Sequence, residues 1–292
     1  MVKKLSDLYL DVRRVVSQSE DPQTASLMAR SLLCHYTGKS QEQILAERDH
    51  YVGDDICSAV EAGVKRLLAG EPLAYILQEW DFYGMRLHVN PNVLIPRDDT
   101  CAVTAMAIKK ALFLNQDPRI LDLCTGSGCI GLAVAQRVKD ARVTLADVSQ
   151  EALAVAKRNV VSLKLSGRVS CIHADALADP APFLGKFDMI ISNPPYIRHD
   201  VIAELEPEVR DHEPMMALDG GEDGLDFYRQ IVDEAPDFLK KEGIVMVEIG
   251  HDQMSDIIKL FSLDDRYSYV TGLKDLAGRD RIVVAILSPK KK

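Results

Sequence analysis

From about residue 115 onward, the chain alternates short apolar runs with segments of helical periodicity, and this alternation restricts the fold more than any other feature. The apolar runs have strand length and cover residues 119–124, 142–148, 169–173, 187–193 and 243–250, and the helical segments cover residues 129–138, 149–163 and 225–241. Strands that alternate with helices form right-handed βαβ units, in which helices cover both faces of the sheet. The sequence therefore predicts an α/β fold with a mostly parallel sheet.

Two β-hairpins are predicted outside these units. Residues 75–89 change from helical to alternating periodicity, with Trp80, Phe82, Met85 and Leu87 among the apolar positions. Near the other end, the apolar runs at residues 268–273 and 281–287 are separated by too few residues for a helix. We expect this second pair to form an antiparallel hairpin that closes the edge of the sheet.

The N-terminal part of the chain has helical periodicity from Leu5 to about Gly70, and Asp21 followed by Pro22 is a typical helix start. Further helices are predicted at residues 40–47 and 56–68. A chain of 292 residues is near the size limit of a single core, so two domains are expected. The predicted organisation is a helical domain at residues 1–74, a hairpin linker at residues 75–92 and an α/β domain at residues 93–292.

The composition argues against several classes of protein. Asp and Glu number 44 against 35 for Lys and Arg, so the formal net charge is −9, whereas proteins that bind nucleic acid nonspecifically are normally basic. The six cysteines form no CxxC pair, so neither a zinc site nor a disulfide framework is indicated. No stretch reaches the roughly 18 apolar residues of a membrane span. We therefore expect a cytoplasmic protein with no metal site, no membrane association and no direct contact with nucleic acid.

A glycine-rich loop follows the first predicted strand. It begins at Asp122, and Gly126, Gly128 and Gly131 have the GxGxxG spacing that lets a backbone turn tightly and approach a ligand closely. The spacing alone does not identify a ligand, because dinucleotide enzymes use the same glycines. A tight turn with no ligand is the other interpretation of this loop.

Acidic residues follow or end the next two predicted strands. Asp147 lies where a carboxylate can accept two hydrogen bonds from ribose hydroxyls, although it could instead cap the next helix, a role that Ser149 could also fill. Asp175 could contact an adenine edge with Ala176 or Leu177 against the ring face, and a helix cap is again the alternative. The glycine loop and Asp147 together predict a cofactor that contains adenosine.

The fourth predicted strand ends in Asn193-Pro194-Pro195-Tyr196, the most informative segment of the chain. The two prolines fix φ and remove two N–H donors, so the exposed backbone groups are mostly acceptors. The side-chain oxygen of Asn193 and the carbonyl of Pro194 can converge on one planar NH2 group, and Tyr196 can stack on its plane. A site that accepts both N–H bonds makes an amide nitrogen more nucleophilic and stabilises the positive charge that develops on it during alkylation.

These motifs together resemble the class I S-adenosylmethionine methyltransferases that act on planar nitrogens. Residues 94–100 (LIPRDDT), 213–214, 217–225 (ALDGGEDGL) and 275–281 (DLAGRDR) narrow the resemblance to the bacterial release factor glutamine N5-methyltransferases, across essentially the whole chain. The resemblance implies a Rossmann-like class I methyltransferase sheet with a small N-terminal helical domain. It also implies methyl transfer from S-adenosylmethionine, with S-adenosylhomocysteine as product, to the glutamine of the GGQ motif in class-I peptide chain release factors.

The resemblance also assigns roles to individual residues. The catalytic and substrate-binding segment would be Asn193, Pro194, Pro195 and Tyr196. The cofactor would be held by Asp122, Cys124, Thr125, Gly126, Ser127, Gly128, Asp147, Asp175, Ala176 and Asn193. The helical domain and the hairpin would help to dock the release factor, and we expect the chain to act as a monomer.

Three positions depart from the family pattern. Glycine is usual where Cys124 and Gln78 stand, and glutamate is common where Cys101 stands. Cys124 would place a side chain near the methionine part of the cofactor, and Cys101 removes a carboxylate near the presumed cap over the site.

Three other functions stay open at this point. A DNA or RNA methyltransferase acting on adenine N6 or cytosine N4 would use the same pair of acceptors on a flipped base, but the net charge and the lack of a basic module argue against it. A nicotinamide-dependent oxidoreductase would use the glycine loop but leaves the Asn-Pro-Pro-Tyr segment unexplained. A noncatalytic adenosine-binding protein is the last alternative.

Overall fold

The computed structural model describes residues 2–114, 116–178 and 186–289, and its contacts divide the chain into two compact units. The helical unit comprises Met1–Glu79 and Pro207–His212, and the α/β unit comprises Trp80–Glu206 and Glu213–Lys292. The partition into residues 1–74, 75–92 and 93–292 stays a prediction. No helix in the described part of the chain is long and apolar enough to cross a membrane.

The helical unit contains short helices and one small pair of strands. Its elements up to residue 78 are β1 (Lys3–Lys4), α1 (Leu5–Val16), α2 (Pro22–Thr37), α3 (Gln41–Ala46), β2 (Tyr51–Val52), α4 (Asp54–Leu68) and α5 (Leu73–Leu77). The predicted start of α2 is confirmed, because the Asp21 carboxylate accepts the N–H groups of Gln23 and Thr24 at 2.8 and 3.2 Å. The predicted apolar face is confirmed as well, with Leu8, Val12, Ala29, Leu32 and Leu33 in one buried cluster.

The α/β unit carries the large sheet. The remaining elements of the chain are β3 (Glu79–Phe82), β4 (Met85–His88), α6 (Thr100–Ala111), β5 (Arg119–Leu123), α7 (Cys129–Arg137), β6 (Arg142–Asp147), α8 (Gln150–Ser162), β7 (Val169–His173), β8 (Phe187–Ser192), α9 (Pro207–Arg210), α10 (Asp226–Phe238), β9 (Leu239–Glu248), α11 (Met254–Ser262), β10 (Tyr267–Lys274) and β11 (Asp280–Leu287). Of these, α9 belongs to the helical unit.

Within the described residues, seven strands form one sheet in the order β10-β11-β9-β8-β5-β6-β7. The five strands from β9 to β7 are parallel, and β11 is antiparallel to both of its neighbours, β9 and β10. Neighbouring residues of a strand contribute to cores on opposite faces, as Ile120 and Leu121 of β5 do. The strands are therefore apolar along their length. The predicted α/β fold with its mostly parallel sheet and antiparallel C-terminal hairpin is confirmed.

The first predicted hairpin begins later than expected. Its strands β3 and β4 pair at residues 79–88, whereas residues 73–77 form the one-turn helix α5. In α5, Ala74, Tyr75 and Ile76 are all buried, a run of consecutive apolar residues that does not distinguish a short helix from a strand. Helices α6 and α11 were not predicted, and α10 is shorter than predicted because β9 begins at Leu239.

Gln78 ends helix α5 in the left-handed conformation, with φ 56°. A side chain in this region is strained, whereas glycine adopts it freely. We therefore expect Gln78→Gly to raise the free energy of unfolding by about 0.5 to 1 kcal/mol, as measured by urea denaturation. The control Gln136→Gly, at an exposed position inside α7, should lower it by a similar amount. A destabilised Gln78→Gly variant would contradict this interpretation.

Candidate active site

A cavity of ≈ 410 Å³ lies at the carboxyl ends of the parallel strands. This volume falls within the range of roughly 300–1,000 Å³ that is usual for small-molecule and cofactor sites. The loops that follow β5, β6, β7 and β8 all reach it. The sequence-predicted residues that line the cavity are Cys124, Thr125, Gly126, Ser127, Asp147, Asp175, Ala176, Asn193 and Pro195.

The remaining predicted residues are not among the lining residues. They are Asp122, Gly128, Pro194 and Tyr196. Asp122 is buried beneath the glycine loop, where its Oδ2 accepts the Thr125 hydroxyl at 2.7 Å and the Gly131 N–H at 2.9 Å. Burial raises the pKa of Asp122 to about 7. Asp122 therefore stabilises the conformation of the loop through these hydrogen bonds. Its role as a direct cofactor contact stays a prediction.

The glycines of this loop are required by its geometry. Gly126 and Gly128 have φ of 53° and 85°, in the left-handed region. A Cβ on Gly131 would lie 2.4 Å from the Leu145 side chain, so α7 could not pack against β6 at its present distance. Gly126 and Gly128 therefore serve the turn between β5 and α7 through their backbone conformation, and Gly131, within α7, allows the helix to pack closely against β6.

Asp147 is the last residue of β6 and lines the cavity. Its carboxylate accepts the Gly126 N–H at 2.8 Å and the Ser149 N–H at 2.9 Å. Ser149 itself caps α8 by accepting the Ala152 N–H, so the cap is provided without Asp147. Burial raises the pKa of Asp147, and these backbone hydrogen bonds oppose that shift. The carboxylate is held in place beside the cavity with lone pairs left to accept further hydrogen bonds.

Asp175 and Ala176 lie in the turn after β7. The Asp175 carboxylate is exposed and accepts the Leu177 N–H at 2.9 Å. Leu177 and Val148 both line the cavity and are 46% and 40% exposed, so this end of the cavity has apolar walls open to solvent. Such walls suit a planar ring.

Asn193 and Pro195 line the cavity at the end of β8, while Pro194 is buried and Tyr196 is partly buried. The Asn193 amide nitrogen donates to the Thr100 hydroxyl at 3.3 Å. Its side-chain oxygen is therefore the group that can accept a hydrogen bond in the cavity. Burial next to Glu248 raises the pKa of Tyr196 to about 12, so the phenol stays neutral at physiological pH.

The glycine-rich segment 217–225 supports the Asn-Pro-Pro-Tyr segment from one side. Ile197 forms a bridge to Asp219, with backbone hydrogen bonds of 3.0 and 2.8 Å to Leu218 and Gly220. A Cβ on Gly220 would lie 2.7 Å from the Tyr196 Cα, so a larger residue would displace the backbone of the segment. Sequence reasoning missed this role, although adjacent glycines far from any predicted strand were a signal for close backbone approach.

Three other segments that carry the family resemblance, at residues 94–100, 213–214 and 275–281, also meet near the cavity. The buried Glu213 carboxylate accepts the Ile95 N–H at 3.2 Å and pairs with the Arg97 guanidinium. Arg281 of β11 is buried and pairs with Asp99 at 2.9 Å. These ion pairs join residues 94–100 to the two later segments, which explains why residues so distant in the sequence belong to one pattern.

Asn159 is a structural residue of the site that sequence reasoning did not identify. It is fully buried on α8, where its amide nitrogen donates to the Ser127 and His88 carbonyls at 2.9 and 3.0 Å, and its oxygen accepts the His88 N–H at 2.6 Å. It thereby connects the glycine loop to β4. An asparagine within an amphipathic helix carries no signal for a contact 71 residues away.

We expect Asn159→Ala to lower the free energy of unfolding by about 2 to 4 kcal/mol, because it leaves buried backbone groups without partners. Urea denaturation of the cofactor-free protein measures this change. The control Asn92→Ala removes an exposed asparagine side chain and should change it by less than about 0.5 kcal/mol. Equal effects of the two substitutions would contradict the role of Asn159.

The structure shows the backbone conformation and the burial of the residues that depart from the family pattern. Cys124 has φ 57° and Gln78 has φ 56°, so both residues occupy the left-handed conformation that favours glycine. Burial raises the pKa of the Cys124 thiol far above its usual value, so the thiol stays protonated and is no nucleophile. Cys101 lies in the first turn of α6, and burial raises its pKa as well.

Two family models match the chain, one in the helical unit and one in the α/β unit. The model described as "Methyltransferase small domain" matches residues 98–206, and the model described as "PrmC N-terminal domain" matches residues 9–77. Among solved structures, a methyltransferase from Pyrococcus furiosus superimposes with a TM-score of 0.52 at 20% identity, over 77% of this chain and 97% of that chain. That likeness concerns the fold.

Curated relatives match over nearly the whole length. The release factor glutamine methyltransferase of Clostridium acetobutylicum is 34% identical over 97% of this chain and 98% of its own length. The release factor glutamine methyltransferase of Agrobacterium fabrum is 38% identical over 87% of this chain and 88% of its own length.

Proposed function

Because the chain belongs to the release factor glutamine methyltransferase family, we propose that it methylates the side-chain amide nitrogen of the glutamine in the GGQ motif of class-I peptide chain release factors. S-Adenosylmethionine is the proposed methyl donor. The observation that carries the proposal is Asn193, an amide with its nitrogen already bonded to Thr100, in the same cavity as the glycine loop and Asp147.

The residues of the cavity fit an adenosine-containing methyl donor. The Asp147 carboxylate would accept the ribose hydroxyls, because each oxygen holds one backbone N–H and retains acceptor capacity. Val148, Ala176 and Leu177 would cover the adenine ring. When bound, the donor supplies an electrophilic methyl group on a sulfonium. The protonated Cys124 thiol would lie near that end of the cavity without competing for the methyl group.

The Asn193 oxygen and the Pro194 carbonyl would accept the two N–H bonds of the substrate amide. An amide nitrogen is a poor nucleophile because its lone pair is delocalised, and two acceptors would stabilise the positive charge that develops on it as the N–C bond forms. The S–CH3 bond would break in the same step with S-adenosylhomocysteine as the leaving group, and the nitrogen would then lose one proton to water. The neutral Tyr196 phenol adds no charge to this region. The rigid Pro194-Pro195 backbone fixes the acceptors in advance, so orientation supplies a further part of the rate.

The helical unit is proposed to help dock the release factor. A family model of an N-terminal domain matches residues 9–77, so this unit is a recurrent part of such proteins. A single protein side chain inserted into the cavity also agrees with a net charge of −9, since no polyanion needs to be bound. We further propose that the chain acts as a monomer in the cytoplasm.

Mass spectrometry of a class-I release factor incubated with the protein and S-adenosylmethionine tests the proposed function. The expected result is one added methyl group on the GGQ glutamine and none without the protein. Parallel reactions with DNA and RNA use the same labelled donor. Methylation of nucleic acid alone, or of no macromolecule at all, would overturn the proposal. Calorimetric binding of NADH without binding of S-adenosylhomocysteine would do the same.

A further inference from the structure

Gln253 is a buried polar residue that has no role in the proposed function so far. It directly precedes α11 and is 8% exposed. Its Nε2 donates to the Tyr196 carbonyl at 3.0 Å and to the Gly224 carbonyl at 3.2 Å, and its Oε1 accepts the Gly250 N–H at 2.9 Å. One side chain therefore connects the Asn-Pro-Pro-Tyr segment to the glycine-rich segment 217–225 and to the residues that follow β9.

The partners of Gln253 fix the orientation of its amide. A backbone carbonyl only accepts a hydrogen bond, and a backbone N–H only donates one. The NH2 group must therefore face Tyr196 and Gly224, and the oxygen must face Gly250. The Gln253 backbone N–H also donates to the Gly250 carbonyl at 3.2 Å, so two hydrogen bonds close the turn that carries the amide.

Gly224 and Gly250 leave the space that the amide occupies. A Cβ on Gly224 would lie 2.5 Å from the Tyr196 carbonyl oxygen and 2.8 Å from the Gln253 Nε2. A Cβ on Gly250 would lie 2.9 Å from the Gln253 Oε1. The amide can make its three contacts only because both of these neighbours are glycines.

The Asn-Pro-Pro-Tyr segment depends on hydrogen bonds to its carbonyl groups. Pro194 and Pro195 have no N–H, so neither can donate a backbone hydrogen bond that would fix the loop. Pro195 also locks its own φ and restricts Pro194 to the extended region, so the two residues form a stiff unit. A hydrogen bond to the Tyr196 carbonyl therefore restrains the direction of the Pro194 carbonyl as well.

We propose that Gln253 is a positioning residue that holds the Tyr196 backbone and thereby keeps the Pro194 carbonyl directed at the NH2 group of the substrate. This inference rests on the proposed function, because that function makes the Pro194 carbonyl an acceptor for the glutamine amide. The second acceptor, Asn193, is held separately by its hydrogen bond to Thr100 at 3.3 Å. The two acceptors thus have independent supports in the structure.

The substitution Gln253→Met tests this role, because it removes both N–H donors and keeps a side chain of similar length. We expect the turnover number to fall about tenfold to a hundredfold, the scale on which a small displacement of a positioned group acts. The KM for the release factor and the dissociation constant of S-adenosylhomocysteine should stay within about twofold of the wild type. Steady-state kinetics and isothermal titration calorimetry measure these quantities.

Tyr267→Phe is the matched control for the loss of a buried hydrogen bond. Tyr267 is also 8% exposed, and its hydroxyl donates to the Val232 carbonyl at 2.8 Å. Neither residue is among the cavity-lining residues. Both substitutions should lower the midpoint of urea denaturation, but Tyr267→Phe should retain wild-type turnover. Equal turnover of Gln253→Met and Tyr267→Phe in an active enzyme would overturn the inference alone.

Gly224→Ala tests the same contact while the Gln253 amide is retained. The added methyl group would displace the Tyr196 carbonyl or the amide, so we expect turnover to fall about tenfold or more. Gly224 has φ 75° and Gly278 has φ 80°, so alanine is strained at both positions. Apart from its chain neighbours, no described atom lies within 4 Å of a Cβ added to Gly278, so Gly278→Ala should keep wild-type turnover. Equal turnover of the two alanine variants would contradict the inference.

The outcomes also separate this inference from the proposed function. Circular dichroism confirms that each variant is folded, and Gly224→Ala decides if Gln253→Met is not. A turnover that falls only in proportion to weaker binding of S-adenosylhomocysteine would overturn the positioning role. A wild-type protein that methylates no release factor would overturn the proposed function, and the inference with it.

Discussion

Replacing Asn193 by alanine is expected to lower the turnover number for release factor methylation by about a hundredfold or more, the scale on which single polar groups act on a developing charge. The substitution removes the acceptor that faces the cavity, and the hydrogen bond to Thr100 is lost with it. Steady-state kinetics with the release factor as substrate measure the change. The dissociation constant of S-adenosylhomocysteine should change by less than about twofold, because Asp147 and the glycine loop are untouched.

A second asparagine controls for the loss of an amide side chain. Asn90 is not among the cavity-lining residues, and its oxygen accepts the Asn92 N–H at 3.0 Å in a local turn. We expect Asn90→Ala to retain wild-type turnover. If Asn193→Ala also retains it, Asn193 is no acceptor for the substrate. If turnover falls only in proportion to weaker cofactor binding, Asn193 acts on the cofactor instead.

The second large effect is expected at Asp147. Asp147→Ala should weaken the binding of S-adenosylhomocysteine by about 1 to 3 kcal/mol, the scale for losing a charge-assisted hydrogen bond. The same substitution removes the 2.8 Å hydrogen bond from the Gly126 N–H to the Asp147 carboxylate, which fixes the glycine loop. Isothermal titration calorimetry measures the change. Asp147→Asn, which keeps one oxygen acceptor, should have an intermediate affinity.

The matched control lies near the opposite end of the same strand. Asp140 is exposed and precedes β6, whereas Asp147 ends it. Asp140→Ala removes the same charge from the chain and should leave the dissociation constant unchanged. An unaltered affinity in Asp147→Ala would show that the ribose hydroxyls are held by other groups.

The strands were predicted well because their apolar runs are short and continuous. The boundaries of β7 are those predicted, and β5, β6 and β8 each end one residue earlier than predicted. Helix α6 was missed, although its buried positions follow the helical spacing 100, 103, 104, 107, 108 and 111. Two of these positions, Thr100 and Thr104, are polar, so the apolar stripe is incomplete in the sequence. Helix α11 is short, and only Ile257 and Phe261 are buried in it.

The residues of the candidate site also differ in whether the sequence alone could reveal them. Residues at or near the carboxyl end of a strand, such as Gly126, Asp147 and Asn193, could be predicted because a parallel sheet brings the carboxyl ends of its strands together. Gln253 could not, since its hydrogen bond to the Tyr196 carbonyl joins segments far apart in the chain. No local sequence pattern indicates which buried polar groups will form hydrogen bonds with each other.

The order of strands at the cavity also couples ligand affinity to folding. Its lining comes from loops after β5, β6, β7 and β8, and helices α7 and α8 connect β5 to β6 and β6 to β7. A partly folded chain therefore has no site with partial affinity, since these loops meet only when the sheet is complete. A ligand that binds the native state alone adds about 2.7 kcal/mol at a hundredfold excess over its dissociation constant. Binding of the proposed methyl donor would therefore also raise the free energy of unfolding of the protein.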